Sequence, residues 1–518
     1  MIEYNKGAIM EAVKEIPFYG EYDVVVAGGG VAGFGAACAV GKRGMKVLLL
    51  ETTSTLGGLA TLGLVNIPLD FMSGIGREML DELEKIEGHW HRNTNIEKHK
   101  LVLDRMVKKY NVEVLFTSQV VDAIMDGDTL KGVVFQTKTG RRHVLAKRFI
   151  DATGDSDLAY YAGAECESGR EGDGMSQACS LEFCLGGVNW DEYQNSDLKK
   201  KDARWTNIIR ASVASGELTV ESDNHLNWMT HIPGRPQNCG QDEVSICFAH
   251  SRNCYPIDPK DLTRMYFEGR EQATELAAFI KNHVPGFQNS FLTTTASLLG
   301  VRESRRIVGE YRLTAEDIAF CRNQDDVITI SNHGYDIHNF EDVGNIKWAP
   351  IKIDGEIQYV ISNAGGFGTT TPPPDGKPVV NAKGQTAEYA EFEPNRYYDI
   401  PYRSLVPVRV ENLLAAGRNL SSDVYAQSGA RLILCCLAMG EAAGAAACAS
   451  IRDGVTVRNI DVKALQRELI ASGSNLGQSM RAIPGVTDQT AATEERFKDL
   501  ENHIGAEVVR GQTNEFTR

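Results

Sequence analysis

At 518 residues the chain is too long for one ordinary hydrophobic core, so two or three domains are expected. Hydrophobic residues make up 42% and charged residues 24%, a balance that excludes a disordered chain. Lys and Arg total 54 against 69 Asp and Glu, a formal net charge of −15 with no long basic run, which argues against nucleic acid as a partner.

The chain begins MIEYNKGAIMEAVKEIPF, where Glu11, Lys14 and Glu15 interrupt the apolar core that a secretory leader needs. The longest uncharged stretch, Val24 to Gly41, is broken up by glycines, so no membrane span is expected in it. A soluble, cytoplasmic protein is the expectation. Residues 23–27 (DVVVA) form a short β-branched run, the pattern of a strand buried on both faces of a parallel sheet. Gly28, Gly30 and Gly33 follow with Gly-x-Gly-x-x-Gly spacing. The first allows a tight turn and the second lets backbone N–H groups approach a pyrophosphate. The third permits close packing of the next helix, whose N-terminal dipole attracts phosphate. Val31 to Lys42 reads as that helix and Lys46 to Leu50 as the second strand, closed by Glu51. A carboxylate there can accept hydrogen bonds from both hydroxyls of an adenosine ribose and repels a 2′-phosphate, which argues against NADP.

Thr52 to Asn66 (TTSTLGGLATLGLVN) does not pass straight into another crossover helix, as a simple NAD dehydrogenase usually does. The paired Gly57 and Gly58 let the chain run close beside an extended ligand such as a flavin dinucleotide. Beyond Tyr110 the sequence reads as one strand, a three-stranded meander with turns at Asp126-Gly127-Asp128 and Thr139-Gly140, and then a return to the sheet as a short apolar strand, Phe149 to Ala152. Thr153, Gly154 and Asp155 end that strand, where a glycine can again approach the cofactor. The eleven cysteines include no C-x-x-C pair. Cys179 and Cys184 have redox-like spacing, but on one strand an offset of five sends them to opposite faces, so packed free thiols are expected. No metal site is expected.

The middle of the chain alternates differently, with polar loops at 235–243 and 365–378. In VRESRRIVGEY, read as a strand, Arg302 and Arg306 share one face while Glu303 and Arg305 share the other. These residues either face a substrate or form an ion-pair network between domains. A capping box at Thr314 to Asp317 starts a helix after the strand RIVGEYRL. His250, His333 and His338 are candidate bases or packed histidines, and Gly365 to Gly376 is a candidate lid or a plain long loop. Tyr402 and Arg403 precede the return to the first domain, where they either meet flavin and substrate or form a structural stack. Leu413 to Ala416 is a buried strand with a tight exit at Gly417-Arg418, and a long helix of small residues starts at Asp423.

The glycine fingerprint, Glu51, GGLAT at 57–61, IDATGDSDLA at 150–159, GVRESRRIVGEYRLTAEDI at 300–318 and IPYRSLVPVRVENLLAAGRNLS at 400–421 together resemble the FAD-dependent oxidoreductases of the glutathione-reductase-like superfamily. The likeness is to the broad bacterial family with a single dinucleotide-binding domain. It implies an α/β fold: a Rossmann-like FAD-binding domain, with parallel sheet and three-stranded β-meander, built from 20–160 and 400–455. An inserted α+β substrate domain would span 161–399 and a small helical tail 456–518. It also implies FAD as cofactor, held by Gly28, Gly30, Val31, Ala32, Gly33, Glu51, Thr52, Gly57, Gly58, Leu59, Ala60, Thr61, Val120, Ala152, Thr153, Gly154, Asp155, Gly417 and Arg418.

No second strand-flanked Gly-x-Gly-x-x-Gly exists, and no Cys follows Gly57-Gly58 where disulfide reductases of that superfamily carry one. Disulfide reduction driven by NADH is therefore disfavoured. The leading expectation is hydride transfer between a small organic substrate and the flavin, with Arg302, Tyr402 and Arg403 as catalytic candidates. A flavin monooxygenase or halogenase is one alternative. A flavin-bearing electron-transfer subunit with an acceptor protein, or a non-catalytic flavin scaffold, is another.

Overall fold

The computed structural model describes residues 14–70, 73–90, 93–219, 226–234, 242–362, 371–386 and 397–477. Strand β1 (Phe18–Ala27) and strand β2 (Val47–Leu50) run parallel and are joined through helix α1 (Val31–Lys42). Val24, Val25 and Val26 are wholly buried, as a β-branched run in the centre of a parallel sheet must be.

Seven strands form the main sheet. Glu113–Leu115, β2, β1, Gly140–Asp151, Thr129–Thr137 and Gln119–Asp126 lie side by side in that order, and Leu413–Ala415 also pairs with Gly140–Asp151. The strand Gly140–Asp151 corrects the sequence reading, which split it into a last meander strand and a separate apolar strand. It is one twelve-residue strand that changes partner midway. Its first half pairs antiparallel with Thr129–Thr137, and its last residues pair parallel with Leu413–Ala415. Lys147 and Arg148, which read as an interruption, are satisfied in place. Lys147 Nζ lies 2.7 Å from Asp23, and Arg148 Nε donates to the Ser450 hydroxyl at 2.8 Å.

That fork aligns four strand ends. Ala27 sits opposite Leu50 on one side and Asp151 on the other, and Asp151 sits opposite Ala415. Four adjacent parallel strands thus release their chains at the same edge of the sheet, the edge at which open α/β sheets bind ligands.

Helix α1 packs on Ile433–Arg452 almost backbone to backbone. A Cβ added at Gly440 would stand 1.9 Å from the Ala32 carbonyl oxygen and one at Gly444 2.4 Å from that of Ala36. Ile433–Arg452 is long and apolar enough to cross a membrane, yet 94% of its most apolar window is buried inside the protein, as a core helix is. The small-residue helix expected from Asp423 is broken: Val424–Ala430 ends at Arg431, Leu432 is extended, and Ile433–Arg452 follows.

A separate four-stranded sheet is formed by Trp228–His231, Asp242–Cys247, Phe183–Val188 and Phe291–Thr295, in that order. Its core holds Phe183, Trp205, Phe248 and Phe287, together with residues of the long helix Pro259–His283. Asp258 starts that helix by accepting the Lys260 and Asp261 amides, with Pro259 at its first position. Cys179 and Cys184 stand on two separate strands rather than one, both buried and neither in a disulfide. The capping box at Thr314 is present, and the last described helix is Val462–Ala471. The strand expected over RIVGEYRL is shorter, Arg305–Ile307. The candidate lid at 365–376 falls partly, and the tail beyond 477 wholly, outside the described residues.

Candidate cofactor and substrate site

The four aligned strand ends carry nearly all the residues expected to hold a dinucleotide. After β1, a Cβ at Gly33 would lie 1.8 Å from the Gly28 carbonyl oxygen, so the helix can approach the turn only with glycine there. Gly30 differs: a Cβ there meets nothing within 4 Å. It caps α1 without any side-chain hydrogen bond, so the first amides of α1, at Val31, Ala32 and Gly33, are free to serve a pyrophosphate. After β2, Glu51 is buried, with Oε2 accepting the Gly29 amide at 2.6 Å and Oε1 the Thr53 amide at 2.7 Å. The glycine turn thus fixes the carboxylate, whose remaining lone pairs suit ribose hydroxyls. Gly29, which the sequence reading passed over, must be small because a Cβ there would come 2.9 Å from Glu51 Oε2.

Beyond Glu51, Thr52 is exposed in a turn, and Gly57 leads with φ +96° into a short helical turn, Gly58–Ala60. Thr61 pins that turn by donating its hydroxyl to the Leu56 carbonyl at 2.6 Å. Gly57 bonds back to the fingerprint, its amide donating to the Gly29 carbonyl at 2.8 Å. After the third strand, Asp151 is buried and holds the 152–159 loop through the Thr153 amide and hydroxyl and the Ala159 amide. Ala152 packs behind the turn. Asp155 accepts Arg418 Nη2 at 2.6 Å, and Arg418 Nη1 donates to Ser304 Oγ at 2.8 Å. Gly154, at φ +79°, leaves room for that guanidinium, and Gly417, at φ +109°, abuts Ala32. Val120 departs from this set: its side chain is buried in the core of the sheet, so only its backbone is left to meet a ligand. These features, an uncapped helix start, an anchored acid and an open glycine, fit a dinucleotide.

A cavity of about 240 Å³ adjoins this edge, and Leu59 and Arg418 line it. Val65, Ile67, Leu69, Trp228, Val301 and Leu432 give it apolar walls, and Glu182, Arg302, His333, Asp336, His338, Lys347 and Arg431 give it titratable groups. Asp336 is buried, yet the cations Lys347 and Arg431 outweigh that burial and hold its carboxyl well below the usual range. Its Oδ1 pairs with Lys347, and Arg431 Nη2 donates to its carbonyl at 2.8 Å. Burial brings Arg431 down to about 10. Burial also pushes the Glu182 carboxyl well above its ordinary value, only partly offset by Arg302, and Oε2 of Glu182 has no hydrogen-bond partner. His333 and His338 are held below their ordinary value, first by burial, so both stay neutral near pH 7.

Of the catalytic candidates, only Arg302 lines this cavity. Tyr402 is buried elsewhere, donating its hydroxyl to the Val457 carbonyl at 2.7 Å. Arg403 is paired with Asp326 at 2.9 Å and stacked on Tyr311. Both thus lie outside the cavity lining, following the strand Tyr398–Pro401, which pairs with Val327–Ser331. The expected facing of Glu303 with Arg305 also fails. Residues 300–304 are not a strand, so Glu303 turns to Arg306 at 3.4 Å, and Arg305 reaches Asp157 and stacks on Tyr160. His333 and His338 line the cavity, whereas His250 stacks behind His338 with ring centroids 5.0 Å apart. Glu182, Asp336 and Lys347 gave no local sequence signal, whereas Arg431 left a trace as a charge in an otherwise apolar helical run.

The sequence profile described as FAD dependent oxidoreductase matches residues 23–469. The chain is 30% identical over 185 residues to the digeranylgeranylglycerophospholipid reductase of Haloferax volcanii, covering 32% of this chain and 43% of that protein. It is 30% identical over 260 residues to the tRNA uridine 5-carboxymethylaminomethyl modification enzyme MnmG of Metamycoplasma arthritidis, covering 44% of this chain and 39% of that one. It therefore spans less than half the length of these curated relatives. Among solved structures, a geranylgeranyl bacteriochlorophyll reductase-like protein from Thermoplasma acidophilum is 13% identical with a TM-score of 0.41, covering 96% of this chain and 99% of that one.

Proposed function

The chain belongs to the FAD-dependent oxidoreductase family and is an enzyme with FAD as its cofactor, and from that premise we propose that it transfers a hydride between a small organic substrate in the 240 Å³ cavity and the flavin. The observation that carries this reading is the sharing of Leu59 and Arg418 between the cavity wall and the loops at the sheet edge. FAD, when bound, supplies the hydride acceptor or donor. The chain's own residues do the rest. The start of α1 and Glu51 hold the dinucleotide. Arg418, fixed by Asp155 and Ser304, sets a positive charge at the junction of the two sites. The apolar walls exclude water, and neutral His333 or His338, or the acid form of Glu182, handles the proton that accompanies a hydride.

Anaerobic addition of substrate alone bleaches the flavin if this reading holds. A screen of alcohols, hydroxy acids and sugars, followed by visible absorbance, tests it. Bleaching by NADH or NADPH instead, with no response to any substrate, points to a monooxygenase type. Bleaching only through a protein partner makes the chain an electron-transfer subunit.

A further inference from the structure

Four basic residues of the cavity wall, Arg302, Lys347, Arg418 and Arg431, divide by whether an acid answers them. Arg418 is matched by Asp155, while Lys347 and Arg431 share Asp336. Arg302 is 9% exposed, and its bonds go to neutral groups: Nη1 to the Ala178 carbonyl at 2.6 Å and Nη2 to the Cys247 sulfur at 4.0 Å. Among the described residues no carboxylate forms an ion pair with it. Glu182 shares its wall but is 4% exposed, with Oε2 unpartnered. A buried guanidinium without a counter-ion is costly unless something supplies one.

We propose that the substrate side of the cavity binds a small organic monocarboxylate, its carboxylate on Arg302 and its apolar body against Val65, Ile67, Leu69 and Leu432. The inference rests on the reading of this cavity as the substrate site. A guanidinium presents paired donors that match a carboxylate, and the single positive charge of Arg302 suits one negative charge better than a phosphate dianion. Glu182 in its acid form leaves that positive charge to the ligand.

Calorimetric titration of the purified holoprotein with benzoate, hexanoate, benzamide, hexanamide and inorganic phosphate tests this, with visible absorbance followed in parallel. The carboxylates should bind at least about tenfold more tightly than their amides. Arg302→Met should remove that preference, and Arg403→Met, which deletes a cation outside the cavity, should keep it. Glu182→Gln should shift carboxylate affinity by less than about threefold, because an amide mimics the neutral acid. Equal binding of acids and amides by yellow parent protein, which needs no variant to fold, overturns the inference while leaving the flavin reading intact. So does tighter binding of phosphate, or an Arg302→Met protein that keeps the preference. A gain beyond about tenfold in Glu182→Gln does the same, since it makes Glu182 the resident counter-ion. A colourless protein that refuses FAD overturns both readings.

Discussion

The sheet edge and the cavity touch, yet they are built in opposite ways. At the edge, backbone does the work: Gly33 on Gly28, Gly57 on Gly29, and helix amides left open. In the cavity, side chains do it, drawn from residues 182, 302, 336, 347 and 431. The first kind of site is exacting about the space around a few atoms. The second depends on which charges answer one another.

Substitutions that add atoms should therefore break the edge first. Gly33→Ala puts a methyl 1.8 Å from a carbonyl oxygen, and we expect a loss of about 3 kcal/mol or more, read as a collapse in melting temperature and flavin content together. Glu441→Gln sharpens the picture through pH. Glu441 is buried under α1, accepts the Ile75 amide, and burial raises its carboxyl from 4.5 to about 7. The folded state holds this proton more tightly than the unfolded one. Its stabilising contribution is thus complete below about pH 4.5 and lost as pH rises through about 7. The Gln variant should match the parent at pH 4.5 and exceed it at pH 8 by up to about 3 kcal/mol. Thermal melts at the two pH values check this, and a constant difference would contradict it.

Glu51→Gln should keep the fold and lose about tenfold to a hundredfold in FAD affinity, measured by flavin fluorescence quenching, because one anchored acceptor becomes a donor. Tyr402→Phe should have the smallest effect, about 1 kcal/mol of stability from the lost bond to Val457, with turnover unchanged. A large fall in turnover would restore Tyr402 to the active site.

The same contrast explains what was legible in the sequence. The fingerprint glycines, Glu51 and the meander turns are local, because turn geometry and close packing constrain residues a few positions apart. The continuous strand Gly140–Asp151 was hidden because Lys147 and Arg148 find partners at Asp23 and Ser450, far away in sequence. The break at Leu432 was hidden too, since Arg431 is drawn to Asp336, 95 residues earlier. The cavity's charges were illegible for the same reason: pairing across such distances leaves no spacing to read. Tyr402 and Arg403 misled by position, lying just before a strand that does reach the site while packing elsewhere themselves.

The central claim is that FAD lies across the start of α1, and Gly30 gives its most direct test. A side chain at Gly30 has no protein atom within 4 Å of its Cβ, so Gly30→Val should melt like flavin-free parent protein yet fail to bind FAD in a titration where the parent takes up one flavin per chain. A Gly30→Val protein that binds FAD with the parent's affinity would contradict the account.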